Sequence, residues 1–131
     1  MKESDIQRQI LAYLKYDRRV ALYWRQNTGA TTFSKGGKEY FVRFGTPGIS
    51  DILGVLHGGR FFAIEVKMPK RRLTESQTNF INNVNRAGGI AFVATCVEDV
   101  QEHLCKGTGI DPWQDDDTGV LQFPSLEDNH D

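Results

Sequence analysis

The sequence predicts an α/β domain in which helices pack on a mixed β-sheet, in the order α-β-β-β-β-α-β-α. Three stretches carry that expectation. Near the start, Ile6, Ile10, Leu11 and Leu14 recur at helical spacing. In the middle, Ile52–Leu56 and Phe61–Val66 are short apolar runs separated by His57-Gly58-Gly59-Arg60, a hairpin pattern. Beyond them, a helical stripe of Phe80, Ile81, Val84 and Ala87 stops at Gly88-Gly89 and is followed by the apolar run 90–95, a βαβ pattern.

Taken in order, Ser4-Asp5-Ile6-Gln7 reads as a capping box opening the first helix, which runs to about Tyr16. Glu3 and Gln7 precede members of the apolar stripe by three or four residues, so both are expected to look inward. The plain alternative for Glu3 is stabilisation of the helix dipole. Val20–Arg25 is a strand leading into Asn27-Thr28-Gly29-Ala30. Gly36-Gly37 then makes a turn between Lys35 and Lys38, and Phe41 to Phe44 forms a further strand segment. Arg25, Asn27, Lys35, Lys38 and Arg43 suit a surface that contacts phosphates without reading bases, or simply a solvated hairpin.

After the central hairpin, Pro69 ends the strand, and Lys70-Arg71-Arg72 is either an exposed basic run or a clamp on a phosphate backbone. Thr74-Glu75-Ser76-Gln77 is a second capping box, which gives Gln77 a purely structural role as the partner of Thr74. Val97–Leu104 is a short final helix, and neither His57 nor His103 has a second histidine placed for zinc.

Length and composition bound the answer. At 131 residues, 39% hydrophobic and 25% charged, the chain has the make-up of one ordinary soluble domain. No apolar run approaches the ~20 residues of a membrane span, and no signal-peptide pattern opens the chain. Cys96 and Cys105 make no disulfide framework, which points to reduced thiols in a cytoplasm. The net charge of −1 conceals a division. Residues 111–131 hold seven acids and no Lys or Arg, leaving 16 basic against 10 acidic residues in 1–110, a net of +6. The expected organisation is a basic domain over 1–106 and an acidic tail over 107–131. A basic body suits a polyanionic partner.

The chemistry concentrates around the central hairpin. Asp51, Glu65 and Lys67 sit at the ends of runs that otherwise read as buried. Period-two alternation turns Glu65 and Lys67 to one face. The plain reading is an ion pair at a sheet edge. The sharper one is a site for Mg²⁺ or Mn²⁺, with carboxylates as hard ligands and a lysine holding or activating water. A shared ion sets a condition on register. A two-residue turn at Gly58-Gly59 would face Ile52 with Glu65 and send Asp51 to the other side. An odd-length loop or a bulge is required to place Asp51 opposite Glu65 or Lys67.

Pro47-Gly48-Ile49-Ser50-Asp51 followed by Glu65-Val66-Lys67 resembles the active-site hairpin of the PD-(D/E)XK nuclease superfamily, and within it most resembles the VRR-NUC family of virus-type replication and repair nucleases. The likeness spans about Glu3 to Leu104. It implies a single restriction-endonuclease-like domain with an αβββαβ core, and Mg²⁺- or Mn²⁺-dependent phosphodiester hydrolysis leaving a 5′-phosphate and a 3′-hydroxyl. It further implies Asp51, Glu65 and the Val66 carbonyl as metal ligands, Lys67 as the water-positioning group, and Gln77 and Glu3 as close support. Stand-alone members resemble homodimeric enzymes that cut four-way (Holliday) junctions or other branched DNA, in a bacterial or phage-infected cell. The motif leaves open a restriction-like or RNA-directed nuclease and a non-catalytic nucleic-acid-binding module of the same fold.

Overall fold

A computed structural model describes residues 1–26, 30–43 and 45–112. Three helices, α1 (Glu3–Leu14), α2 (Glu75–Arg86) and α3 (Val97–Thr108), accompany six strands: β1 (Val20–Arg25), β2 (Ala30–Lys35), β3 (Lys38–Arg43), β4 (Ile52–Leu56), β5 (Phe61–Val66) and β6 (Ile90–Ala94). Four strands form one mixed sheet in the order β1-β4-β5-β6, antiparallel except for the parallel β5–β6 pair across which α2 connects. The expected α/β class and helix-flanked mixed sheet hold, and α1, β1, β4, β5, α2 and β6 supply the αβββαβ core.

The alternation of the strands sorts side chains to two faces. One face carries Ile52, Phe62, Ile64, Val66, Phe92 and Ala94, packed against Ile6, Ile10 and Leu14 of α1 and Val100 and Leu104 of α3. The other carries Leu53, Ala63 and Ala91 beneath Ile81 of α2. This second layer is thinner, and it is the face to which Asp51 and Glu65 belong.

Three local expectations are corrected. First, α1 begins at Glu3 with Lys2 as its N-cap, and the Asp5 carboxylate accepts the Lys2 N–H at 2.8 Å. Asp5 therefore takes the third-residue role expected of Gln7, and Ser4 lies inside the helix. Second, residues 30–43 form two strands, so five strands and not four precede α2. Among the described residues their hairpin pairs only with itself, as a separate two-stranded sheet. Third, α3 continues four residues past Leu104, to Thr108, and is closed by Gly109 in the left-handed conformation.

One buried polar cluster ties the chain's late segment to the body. The Arg19 guanidinium forks onto Asp17 at 3.0 and 2.8 Å and donates to the Ile110 carbonyl at 2.8 Å, while the Tyr13 hydroxyl donates to Asp17 at 2.7 Å. Burial opposes the charge on Asp17, but the bonds from Arg19 and Tyr13 outweigh it and hold the carboxyl below its usual range.

Candidate active site

Register decides whether the hairpin carboxylates meet. Ile52 faces Ile64 and Leu53 faces Ala63, and Leu56 donates to the Arg60 carbonyl at 2.8 Å across the three-residue loop His57-Gly58-Gly59. The loop has the odd length that a shared ion requires. Continuing the register one step puts Asp51 opposite Glu65. Because 56/60 is a hydrogen-bonded rung, 54/62 and 52/64 are too, so 51/65 falls at a non-hydrogen-bonded position, where facing side chains lie closest.

The next rung would join Val66 to Ser50, but the Val66 N–H donates instead to Asp51 Oδ2 at 2.8 Å. Asp51 is thereby held by the strand on which Glu65 stands. In an extended strand a residue's N–H and C=O point to the same edge, so the Val66 carbonyl also faces the Asp51 side. On the other flank the Gln26 N–H donates to the Asp51 carbonyl at 2.7 Å.

Glu65 is 3% exposed. Its Oε1 accepts the Gln77 side-chain amide at 2.9 Å, whereas Oε2 is buried with no donor among the described residues. Gln77 fills both roles open to it. Its Oε1 accepts the Thr74 N–H at 2.9 Å, completing the capping box, while its Nε2 reaches Glu65. The two sequence alternatives are not exclusive, because an amide has a separate acceptor and donor.

Burial, and then the facing Asp51, push Glu65 up to about 8, against the pull of Lys67. Asp51 is raised as well, chiefly by burial, although the Val66 N–H opposes the rise. Glu3 lifts both carboxyls through its charge, and its Oε1 stands 3.5 Å from the Met68 N–H. The expectation that Glu3 looks inward fails: it is exposed, at the rim of the site. The site is thus rich in acceptors and short of positive charge, with Lys67 the cation acting on both the buried Glu65 and the half-buried Asp51.

That donor set fits a hard divalent cation. Two facing carboxylates, one with an orphaned oxygen, and a strand-end carbonyl are the few protein ligands that Mg²⁺ takes while keeping waters. No group of three or more His, Cys, Asp or Glu gathers among the described residues.

The other proposed contacts fall at three places. Arg25 ends β1 opposite Ile52, one position from Asp51, and is exposed. Lys70, Arg71 and Arg72 are exposed on the segment joining β5 to α2. Lys35 and Lys38 face each other at the tip of the β2–β3 hairpin, and Arg43 pairs with Ala30 at its base. Asn27 lies outside the described residues.

Two positions of the Pro47–Asp51 motif matter beyond what the sequence assigned to them. Gly48 has φ +73, and a Cβ there would overlap the Ser76 carbonyl and come within 2.6 Å of Gln77 N. The loop before Asp51 thus lies directly against the first turn of α2, fixing Gln77 relative to Asp51. Ser50 is fully buried, and its hydroxyl has no partner among the described residues. The Pro-Gly-x-Ser-Asp spacing is the available signal for both.

Among family models, that of the VRR-NUC domain matches residues 2–98, a span that includes Glu3, Asp51, Glu65, Lys67 and Gln77. A search of curated proteins finds no match. With a match over most of its length and a helix-flanked mixed sheet of restriction-endonuclease type, the chain belongs to the VRR-NUC domain family, a family of nucleases.

Proposed function

We propose that this chain is a Mg²⁺-dependent DNA endonuclease that selects branched DNA, four-way junctions included, and works as a homodimer. The observation that carries the reading is the Asp51–Glu65 pair, closely juxtaposed by register, with Lys67 on the same face and the buried Glu65 Oε2 lacking a donor among the described residues.

Asp51, Glu65 and the Val66 carbonyl would hold the cation. When bound, it supplies charge neutralisation at the scissile phosphate and lowers the pKa of a coordinated water. The Lys67 ammonium holds the attacking water in line and steadies charge that grows on the phosphate oxygens. Gln77 fixes the Glu65 carboxylate through Oε1, leaving Oε2 for the cation. Lys70, Arg71 and Arg72 would grip the backbone beside the cut.

Cutting two opposed strands calls for two such sites. The edge strand β1 leaves Leu22 and Trp24 exposed, at 51% and 39%, which suits contact with a second copy. Selection by DNA shape also suits a domain of this size with no base-reading helix among its described residues.

The test is cleavage of a labelled four-way junction and a matched linear duplex, in Mg²⁺ or EDTA, by wild type and Lys67→Ala, with sedimentation mass measured in parallel. The expected result is Mg²⁺-dependent cutting of the junction by a two-chain species, reduced about 100-fold or more in the variant. Equal cutting of both DNAs would remove the selectivity, and a one-chain active species would remove the dimer. Tight binding with no cutting in Mg²⁺ or Mn²⁺ would favour a binding module.

A further inference from the structure

The β2–β3 hairpin is built unlike the rest of the molecule. It forms its own two-stranded sheet, and among the described residues none of the hairpin belongs to either buried cluster. An isolated two-stranded hairpin is marginal in water and gains stability when something covers it. Its turn, Gly36-Gly37, has φ +62 and +79 and stands in open space. In the sequence the hairpin falls between two segments of the site: Gln26, whose N–H bonds the Asp51 carbonyl, and Pro47–Asp51.

The two faces of the hairpin differ. The register pairs Phe33 with Tyr40 and Lys35 with Lys38, and the period of two puts all four side chains on one face. Phe33 and Tyr40 stack with ring centroids 5.3 Å apart and planes 19° from parallel, yet they remain 46% and 44% exposed. Two lysines directly opposite each other repel, a cost that an anion between them reverses. Along the same stretch the opposite face carries Thr32, Ser34, Glu39 and Phe41, none of them cationic.

An aromatic platform followed along the strands by paired ammonium groups matches a nucleotide whose base is free to stack and whose phosphate meets the lysines. Bases within an intact duplex do not offer their faces. We propose that the hairpin is a finger for unpaired bases: Phe33 and Tyr40 stack on bases exposed at a branch point or single-stranded segment, while Lys35 and Lys38 hold the adjoining backbone. This rests on the reading of the chain as a nuclease of branched DNA and names the feature of the substrate that is recognised. The rival occupant, a second copy of this chain, is disfavoured by the facing lysines, which would meet their own kind across a two-fold contact.

The test uses the full chain in EDTA, where binding is read apart from cutting. The probe is a forked DNA with 2-aminopurine in the unpaired segment at the fork, compared with a blunt duplex of equal length. Wild type is expected to quench the probe and to bind the fork more tightly than the duplex. Phe33→Leu/Tyr40→Leu, which keeps the hairpin apolar, should lose the quenching and weaken fork binding by at least about fivefold, the low end for removing one base–aromatic stack. Phe33→Trp should retain both. Wild-type quenching and fork binding by the Leu pair would overturn the finger even if Mg²⁺-dependent cutting is intact. Loss of the two-chain mass in the Leu pair with fork affinity unchanged would also overturn it, in favour of a second copy. Quenching by wild type that the Leu pair loses, in a protein that cuts nothing in Mg²⁺, would uphold the finger and remove the endonuclease.

Discussion

Two carboxyls facing each other in a largely buried site are costly to the empty protein, and that cost has a measurable sign. Glu65 is raised to about 8 from an ordinary 4.5, by burial first and by Asp51 second. A raised folded-state value means that the native state binds the proton more tightly than the unfolded chain. Its contribution to stability is therefore full below about 4.5 and is lost as pH rises through about 8. Metal-free protein is expected to lose on the order of a few kcal/mol across that window, at about 1.4 kcal/mol per pKa unit. Glu65→Gln should flatten the profile and leave the metal-free protein more stable than wild type at its alkaline end. Added Mg²⁺ should restore the wild type most where the pair is most ionised, and should do little for the variant. Denaturant melts at several pH values check this, and a wild-type profile that rises or stays flat through the window would sink it.

At the level of elements, α2 fixes the carboxylate and the strand loop fixes α2. Gln77 closes the helix cap and positions Glu65 with opposite ends of one amide, so two substitutions separate the roles. Gln77→Glu keeps an acceptor for Thr74 but removes the donor to Glu65 and adds a like charge beside it. Cleavage is expected to fall 10- to 100-fold, as when a partner of a metal ligand is removed, with the helix cap kept and the metal-free protein destabilised most at alkaline pH, where the added charge meets the ionised pair. Gln77→Ala should lose a similar factor and about 1 kcal/mol of helix capping as well. Equal cleavage by wild type and Gln77→Glu would reduce Gln77 to a cap. These elements also mark what could be read from the sequence. The 52–66 hairpin was legible in its two strands, and a shared ion narrowed its connection to an odd-length loop or a bulge, between which only the structure decides. The α2 cap was legible because Thr-x-x-Gln is a local signal. Whether residues 30–43 join the main sheet was not, since local pattern shows strands pairing but not which edge they meet. Nor was the burial of Asp17 and Arg19, because charged residues between a helix and a strand read as solvated loop until the partner, the distant Ile110 carbonyl, is known. Glu3 misled for a related reason: helical spacing gives a direction around the axis, and at the first turn that direction leads past the end of the core to the rim.

For the whole molecule the open question is which charge a polyanion meets. The full chain carries −1, but residues 1–110 carry +6, and Lys70, Arg71 and Arg72 lie exposed on the segment that joins the Glu65 strand to the helix holding Gln77. If net charge governed, affinity for duplex DNA would be weak and nearly indifferent to salt. If the basic run grips phosphates, each neutralised phosphate releases condensed counterions, and log K falls with log[salt] by about 0.9 per phosphate on duplex. Replacing Lys70, Arg71 and Arg72 together by Ala is expected to lower affinity for duplex and junction alike and to make the salt slope shallower by about 0.9 for each phosphate no longer neutralised. Preference for the junction should survive, because phosphate contacts position DNA without selecting its shape. Titrations of both DNAs over a salt series, in EDTA to prevent cutting, measure slope and preference together. An unchanged slope would show that the run is only solvated surface. A slope that falls together with the junction preference would make these residues the readers of DNA shape, a role the exposed face of the β2–β3 hairpin is better built to fill.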